Sequence, residues 1–148
     1  MPYISPDTPV FRRLRDDGLL VRDARGKVAI GEWWNGYGAA LDLLDPRALR
    51  WLSGELTRLR QEIGVDGFEF DGGEAPFYAA LGCPDPQAYT VAWNRFGAGY
   101  RLNEFRDAWL AAGLPPAQRQ RDKHHAWAGP DGLSSLIPSA GPGVGPYR

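Results

Sequence analysis

The segment Val65-Asp66-Gly67-Phe68-Glu69-Phe70-Asp71-Gly72-Gly73 carries the residues best spaced for chemistry. Its composition reads as a short strand. Side chains alternate along a strand, so Phe68 and Phe70 share one face while Glu69 and Asp71 share the other. Carboxylates placed together can exchange protons with a substrate or attack an electrophilic carbon. Asp71 ends the run, and the glycine pair behind it lets a backbone or a substrate come close. A strand-end aspartate also serves simply as a loop cap, so the elements around it decide which reading holds.

Two other stretches invite a functional reading. Glu32-Trp33-Trp34-Asn35-Gly36-Tyr37-Gly38 sets large aromatics among glycines and reads as a loop, because it lacks the pattern of an amphipathic element. Aromatic rings are core mass first; in a cleft their flat faces also match the C–H faces of sugars. Trp127-Ala128-Gly129-Pro130-Asp131-Gly132 reads as a rigid turn that presents an aspartate beside an aromatic. His124 and His125 are adjacent, so in regular structure they do not converge on one ion, and no cysteine lies near them; no metal site is assigned.

The elements that must hold these groups follow from capping and periodicity. Thr8-Pro9 opens a short helix that Gly18 can end. Leu19 to Ile30 alternates loosely about Asp23-Ala24-Arg25-Gly26, as in a small hairpin. Asp45 caps a longer helix, Pro46 opens it, and Leu49, Leu52, Leu56, Leu59 and Ile63 line one face before Gly64 stops it. Helix, glycine, strand is half of a unit that builds a parallel sheet. Asp85-Pro86 opens another helix bearing Tyr89, Trp93 and Phe96; Leu102 to Arg106 fits helix or strand, and as a strand it puts Glu104 and Arg106 on one side. In a β/α barrel the phenylalanines of the 65–71 strand would face the outer helices. The carboxylates would face the lumen, with Asp71 at the C-terminal end where such barrels keep their catalytic groups.

Composition narrows the alternatives. The chain has 148 residues, 17 basic against 18 acidic side chains and 43% hydrophobic content, which suits one globular domain. A formal charge of -1 argues against a phosphate-driven nucleic-acid binder. No apolar run approaches the roughly 20 residues of a membrane span. The opening residues lack the pattern of a signal peptide, and the single Cys83 fits a reducing compartment, so a cytoplasmic location is expected. Residues 1–138 are read as the catalytic portion and the Gly/Pro-rich residues 139–148 as a loose tail.

Taken in order, these motifs resemble the catalytic barrel of glycoside hydrolase family 31. Pro2-Tyr3-Ile4-Ser5-Pro6-Asp7 is similar to that family's strand-end segment before its insertion loop. Trp33-Trp34-Asn35-Gly36 with Leu41-Asp42-Leu43 and Asp45-Pro46 is similar to its run of aromatics, an aspartate and a helix start. Gly64 to Asp71 with Glu74 resembles the nucleophile strand, and Arg119, Asp122-Lys123, Trp127 and Gly132-Leu133 resemble the segment that delivers the acid/base aspartate. The Phe-x-Phe-Asp-Gly-Gly-Glu form looks closest to the branch of α-galactosidase-like members of the myogenesis-regulating glycosidase type.

The resemblance implies an α/β fold, a partial (β/α)8 TIM barrel holding roughly the middle strands and truncated at both ends, since a complete barrel takes about 250 residues. It implies retaining hydrolysis of an oligosaccharide or α-glycoside without a cofactor. Asp71 would be the nucleophile and Asp131 the acid/base; Trp33, Trp34 and Trp127 would wall the sugar sites, with Glu69, Arg106 and Arg119 also on the substrate side. Two departures stand out. Pro130 occupies the position where the family usually has its acid/base, and Asp131 comes one residue later, a shift of about 3 Å along an extended chain. Glu69 stands where the branch often carries lysine. These leave open a non-catalytic carbohydrate-binding remnant or a non-functional gene fragment.

Overall fold

A computed structural model describes residues 1–33, 35–106 and 117–118. The chain starts with β1 (Tyr3–Ile4) and α1 (Pro9–Asp16). Thr8 caps α1 as expected: its Oγ1 accepts from the Phe11 N–H at 3.2 Å, and the helix buries Leu14. The chain turns back at Arg22 and Val28, which bridge antiparallel around the anticipated Asp23–Gly26 turn, where the Asp23 Oδ1 accepts from the N–H groups of Arg25 and Lys27.

The stretch expected as an aromatic loop is a hairpin instead. β2 (Gly31–Trp33) and β3 (Gly36–Ala40) pair antiparallel with Trp33 opposite Gly36 and Gly31 opposite Gly38. Glycine is depleted in strands, so composition hid this pairing. Here it has a packing reason, since a Cβ on Gly38 would lie 3.2 Å from the Trp33 indole nitrogen. β1 joins the other edge of β3, with Tyr3 opposite Ala40, giving the sheet order β1-β3-β2.

α2 (Pro46–Ile63) has the boundaries that its caps dictate: Asp45 Oδ1 accepts from the Arg47 N–H at 2.7 Å, and Gly64 closes it in the left-handed region at φ 79°. Its apolar stripe is covered only in part. Leu49, Leu52 and Leu56 pack on the core, whereas Ile63 is 67% exposed. Periodicity names the buried side of a helix but not how far along it a neighbour reaches.

The second half supplies the parallel sheet. β4 (Gly67–Phe70) is followed by α3 (Ala75–Ala80), α4 (Pro86–Ala98), β5 (Leu102–Phe105) and β6 (Ala117–Gln118), with sheet order β4-β5-β6, both pairs parallel. The Leu102 segment is therefore a strand. α4 is capped by Asp85, whose Oδ1 accepts from the Ala88 N–H at 3.1 Å.

Aromatic packing joins helix to sheet. Phe70 and Phe105, neighbours in register, stack with centroids 5.3 Å apart, and Phe70 also meets Trp93 edge-on at 5.2 Å. Gly97 makes room on α4: any Cβ there would enter both phenylalanine rings. Phe70 is 1% exposed and Phe105 is fully buried. The phenylalanine face thus points at the helix layer, and the opposite face of β4 is left to the carboxylates.

Candidate active site

Register brings the candidate residues together. β4 and β5 run in parallel with Gly67 beside Leu102, Glu69 beside Glu104 and Phe70 beside Phe105. The same offset carried one residue past both strands sets Asp71 beside Arg106. Arg106 Nη1 lies 3.6 Å from Asp71 Oδ1, and Arg106 Nε lies 3.1 Å from Glu74 Oε1. One guanidinium therefore spans two carboxylates at the C-terminal end of a parallel sheet. All three side chains are partly shielded, with 20%, 25% and 22% exposure for Asp71, Arg106 and Glu74. Partial shielding strengthens charge interactions relative to bulk water while leaving the groups reachable.

The turn that carries Asp71 is held from two sides. Gly72 and Gly73 both have left-handed φ, 74° and 82°, which other residues rarely adopt. From α4, the buried Thr90 hydroxyl donates to the Gly73 carbonyl at 2.8 Å, and the Trp93 indole N–H donates to the Phe70 carbonyl at 3.3 Å. From β1, the Tyr3 hydroxyl accepts from the Gly73 N–H at 2.8 Å and donates to Glu74 Oε2 at 3.1 Å. Burial, and secondarily the Glu74 charge, push the Tyr3 hydroxyl well above the ordinary tyrosine range, so it stays protonated as a donor.

An open cleft of about 270 Å³ lies against this cluster, lined by Glu74, Pro76, Phe77 and Arg106. Of the residues singled out in the sequence, Asp71, Glu74 and Arg106 meet in this cluster. Trp33 borders it, its ring edge-on to Tyr3 at 5.3 Å. Glu69 is exposed on the face opposite Phe70, beside Glu104 in register. Trp34, Arg119, Trp127 and Asp131 lie outside the described residues, as do His124, His125 and the tail 139–148.

Tyr3 and Thr90 escaped the sequence reading. Tyr3 reaches Gly73 and Glu74 across about seventy residues of chain, a separation no local pattern reports. Thr90 looks like any helix-interior polar residue, and only its burial at 1% exposure marks it.

A parallel pair β4 and β5 joined through α3 and α4, with carboxylates clustered past the C-terminal end of β4, is α/β architecture of the kind that an arc of a β/α barrel has. Residues 1–126 match the family described as Glycosyl hydrolases family 31 TIM-barrel domain. The chain belongs to glycoside hydrolase family 31. It is 31% identical over 147 residues to the myogenesis-regulating glycosidase of Mus musculus, an overlap of 93% of this chain and 20% of that protein. To an alpha-xylosidase of Lactiplantibacillus pentosus it is 30% identical over 101 residues, or 64% of this chain and 13% of that protein. The chain thus spans a fifth or less of the length of these two curated relatives. Its fold is similar to that of an alpha-galactosidase from Thermus thermophilus solved with stachyose, at a TM-score of 0.61 and 21% identity, covering 88% of this chain and 29% of that one.

Proposed function

We propose that this chain forms the nucleophile-bearing arc of a retaining α-glycosidase, with further strands completing the barrel around it. The observation that carries the reading is Asp71 at the C-terminal end of β4, bridged by Arg106 to Glu74 beside an open cleft, in a chain of this family. The relatives whose names specify glycosidase action support the substrate class, an oligosaccharide or α-glycoside.

The chemistry follows from a nucleophilic and a proton-donating carboxyl. An Asp71 carboxylate oxygen attacks the anomeric carbon as the glycosidic C–O bond breaks, and the departing oxygen takes a proton from the second carboxyl. Water then attacks the same carbon, gives its proton to that second carboxylate, and frees Asp71 with net retention. Such a pair must stand about 5–5.5 Å apart. Asp131 is the candidate acid/base. Arg106 places a positive charge beside Asp71 and offers N–H donors that can meet ring hydroxyls at the cleft, and Trp33 contributes apolar wall behind Tyr3. No cofactor is needed for any step.

The test is Asp71→Ala in the enzyme as its locus encodes it. Hydrolysis of aryl α-glycosides should vanish, and wild-type-like turnover would overturn the assignment. Pro130 at the usual acid/base position favours one competing reading, a carbohydrate-binding remnant. That reading expects sugar binding that is lost in Trp34→Ala, with no hydrolysis at any pH.

A further inference from the structure

We propose that Tyr3 is a positioning residue for the nucleophile, acting through Glu74 and Arg106; the proposal rests on the glycosidase reading of Asp71. The contacts form one chain. The Tyr3 hydroxyl donates to Glu74 Oε2 at 3.1 Å, Glu74 Oε1 lies 3.1 Å from Arg106 Nε, and Arg106 Nη1 lies 3.6 Å from Asp71 Oδ1. Each carboxylate oxygen of Glu74 has a different partner, so the plane of that carboxylate is fixed at both ends. Glu74 stands against the Nε edge of Arg106 as an ion pair, and Nη1 of the same guanidinium lies on the side of Asp71.

Tyr3 is suited to anchor this chain because its own ring cannot wander. It packs on Phe77 with centroids 4.1 Å apart and meets Trp33 and Tyr78 at 5.3 and 6.5 Å. Its strand is pinned by pairing with Ala40 of β3. The same hydroxyl accepts from the Gly73 N–H at 2.8 Å, so it sets both the backbone of the turn after Asp71 and the side chain that aims Arg106. One phenol thus couples the β1-β3-β2 sheet to the parallel sheet at the reacting position. Placement at this level matters for rate, since displacement of a reacting group by about 1 Å can cost on the order of 100-fold.

The experiment uses an α-configured cyclitol aziridine, which a retaining nucleophile opens and traps as an ester, with labelling located by mass spectrometry in the enzyme as its locus encodes it. Wild type should label on Asp71. Tyr3→Phe keeps the ring and loses both hydrogen bonds; it should label about tenfold more slowly, with kcat reduced and KM changed less than about twofold. Glu74→Gln should show a comparable loss, and the double variant should be little slower than Glu74→Gln alone, since both act on one chain. Labelling of Tyr3→Phe at the wild-type rate, or losses that multiply in the double variant, would overturn the proposal. If Tyr3→Phe does not fold, Glu74→Gln alone decides, and wild-type labelling by it is fatal. A wild type that does not label on Asp71 defeats the glycosidase reading itself, an outcome distinct from an unaffected variant.

Discussion

Asp71 and Arg106 occupy equivalent positions one residue past the ends of adjacent parallel strands, and their side chains face each other at 3.6 Å. The pairing follows from register: a shift of one residue between β4 and β5 would turn every side chain of one strand to the other face. Phe70 stacked on Phe105 prevents that shift, because both rings must enter the space above Gly97. The apolar side of the sheet therefore sets the alignment of its charged side.

Arg106→Lys tests what the planar guanidinium contributes. Lysine keeps the positive charge but has one nitrogen, so it cannot lie between Asp71 and Glu74 with separate edges. Turnover of aryl α-glycosides should fall on the order of 100-fold, the scale expected for a misplaced reacting group. Steady-state kinetics check this, and unchanged kcat/KM would show that charge alone suffices.

Gly73→Ala should damage stability and site together. The residue sits at φ 82°, and a Cβ there would run into the Trp93 indole, which is 3% exposed and unable to swing away. Overpacking of this kind costs about 1–3 kcal/mol, to which the left-handed backbone adds about 1 kcal/mol. Denaturant titration should show the loss as a lower midpoint with an unchanged slope. A midpoint equal to that of wild type would mean the turn is looser than its contacts suggest.

Local signals were legible and remote ones were not. The caps Thr8, Asp45 and Asp85, and the stop at Gly64, mark their helices in the sequence as they do in the structure, because each acts within a few residues. The alternation Phe68-Glu69-Phe70-Asp71 likewise put the carboxylates opposite the core. The Trp33–Gly38 hairpin was hidden because Gly38 answers to the indole lying over it, a contact that no local pattern reports. At the site, Asp71 announced itself by its strand-end position, whereas the Tyr3 contact to Glu74 exists only once two separate sheets are assembled.

Asp131 can be separated from Asp71 by leaving-group chemistry. An acid is needed only when the departing oxygen is a poor leaving group. If Asp131 is the acid/base despite its displacement past Pro130, Asp131→Ala should lose most activity on alkyl glycosides. Formation of the glycosyl-enzyme from an activated aryl glycoside should be spared, and added azide should speed its breakdown. Equal losses on both substrates without azide rescue would remove Asp131 from the role.

Alkaline pH should weaken the fold through its buried phenols. Burial raises Tyr3, Tyr78 and Tyr89 above the ordinary value of 10.0, with the Glu74 charge adding to it at Tyr3. A folded-state pKa raised above the unfolded one means the folded protein holds the proton more tightly. That contribution to stability is fully present below the unfolded value and is lost as pH climbs toward the folded one. Cys83, raised by burial from 9.0, acts in the same sense. Stability from these groups should hold level up to about pH 9 and then fall progressively through pH 10 and above. Urea titrations at stepped pH check the curve. Tyr78→Phe, which removes a fully buried ring's hydroxyl and leaves the ring stacked on Tyr89 at 4.6 Å, should make the alkaline decline shallower. A decline of the same steepness in that variant would assign the alkaline loss to other groups.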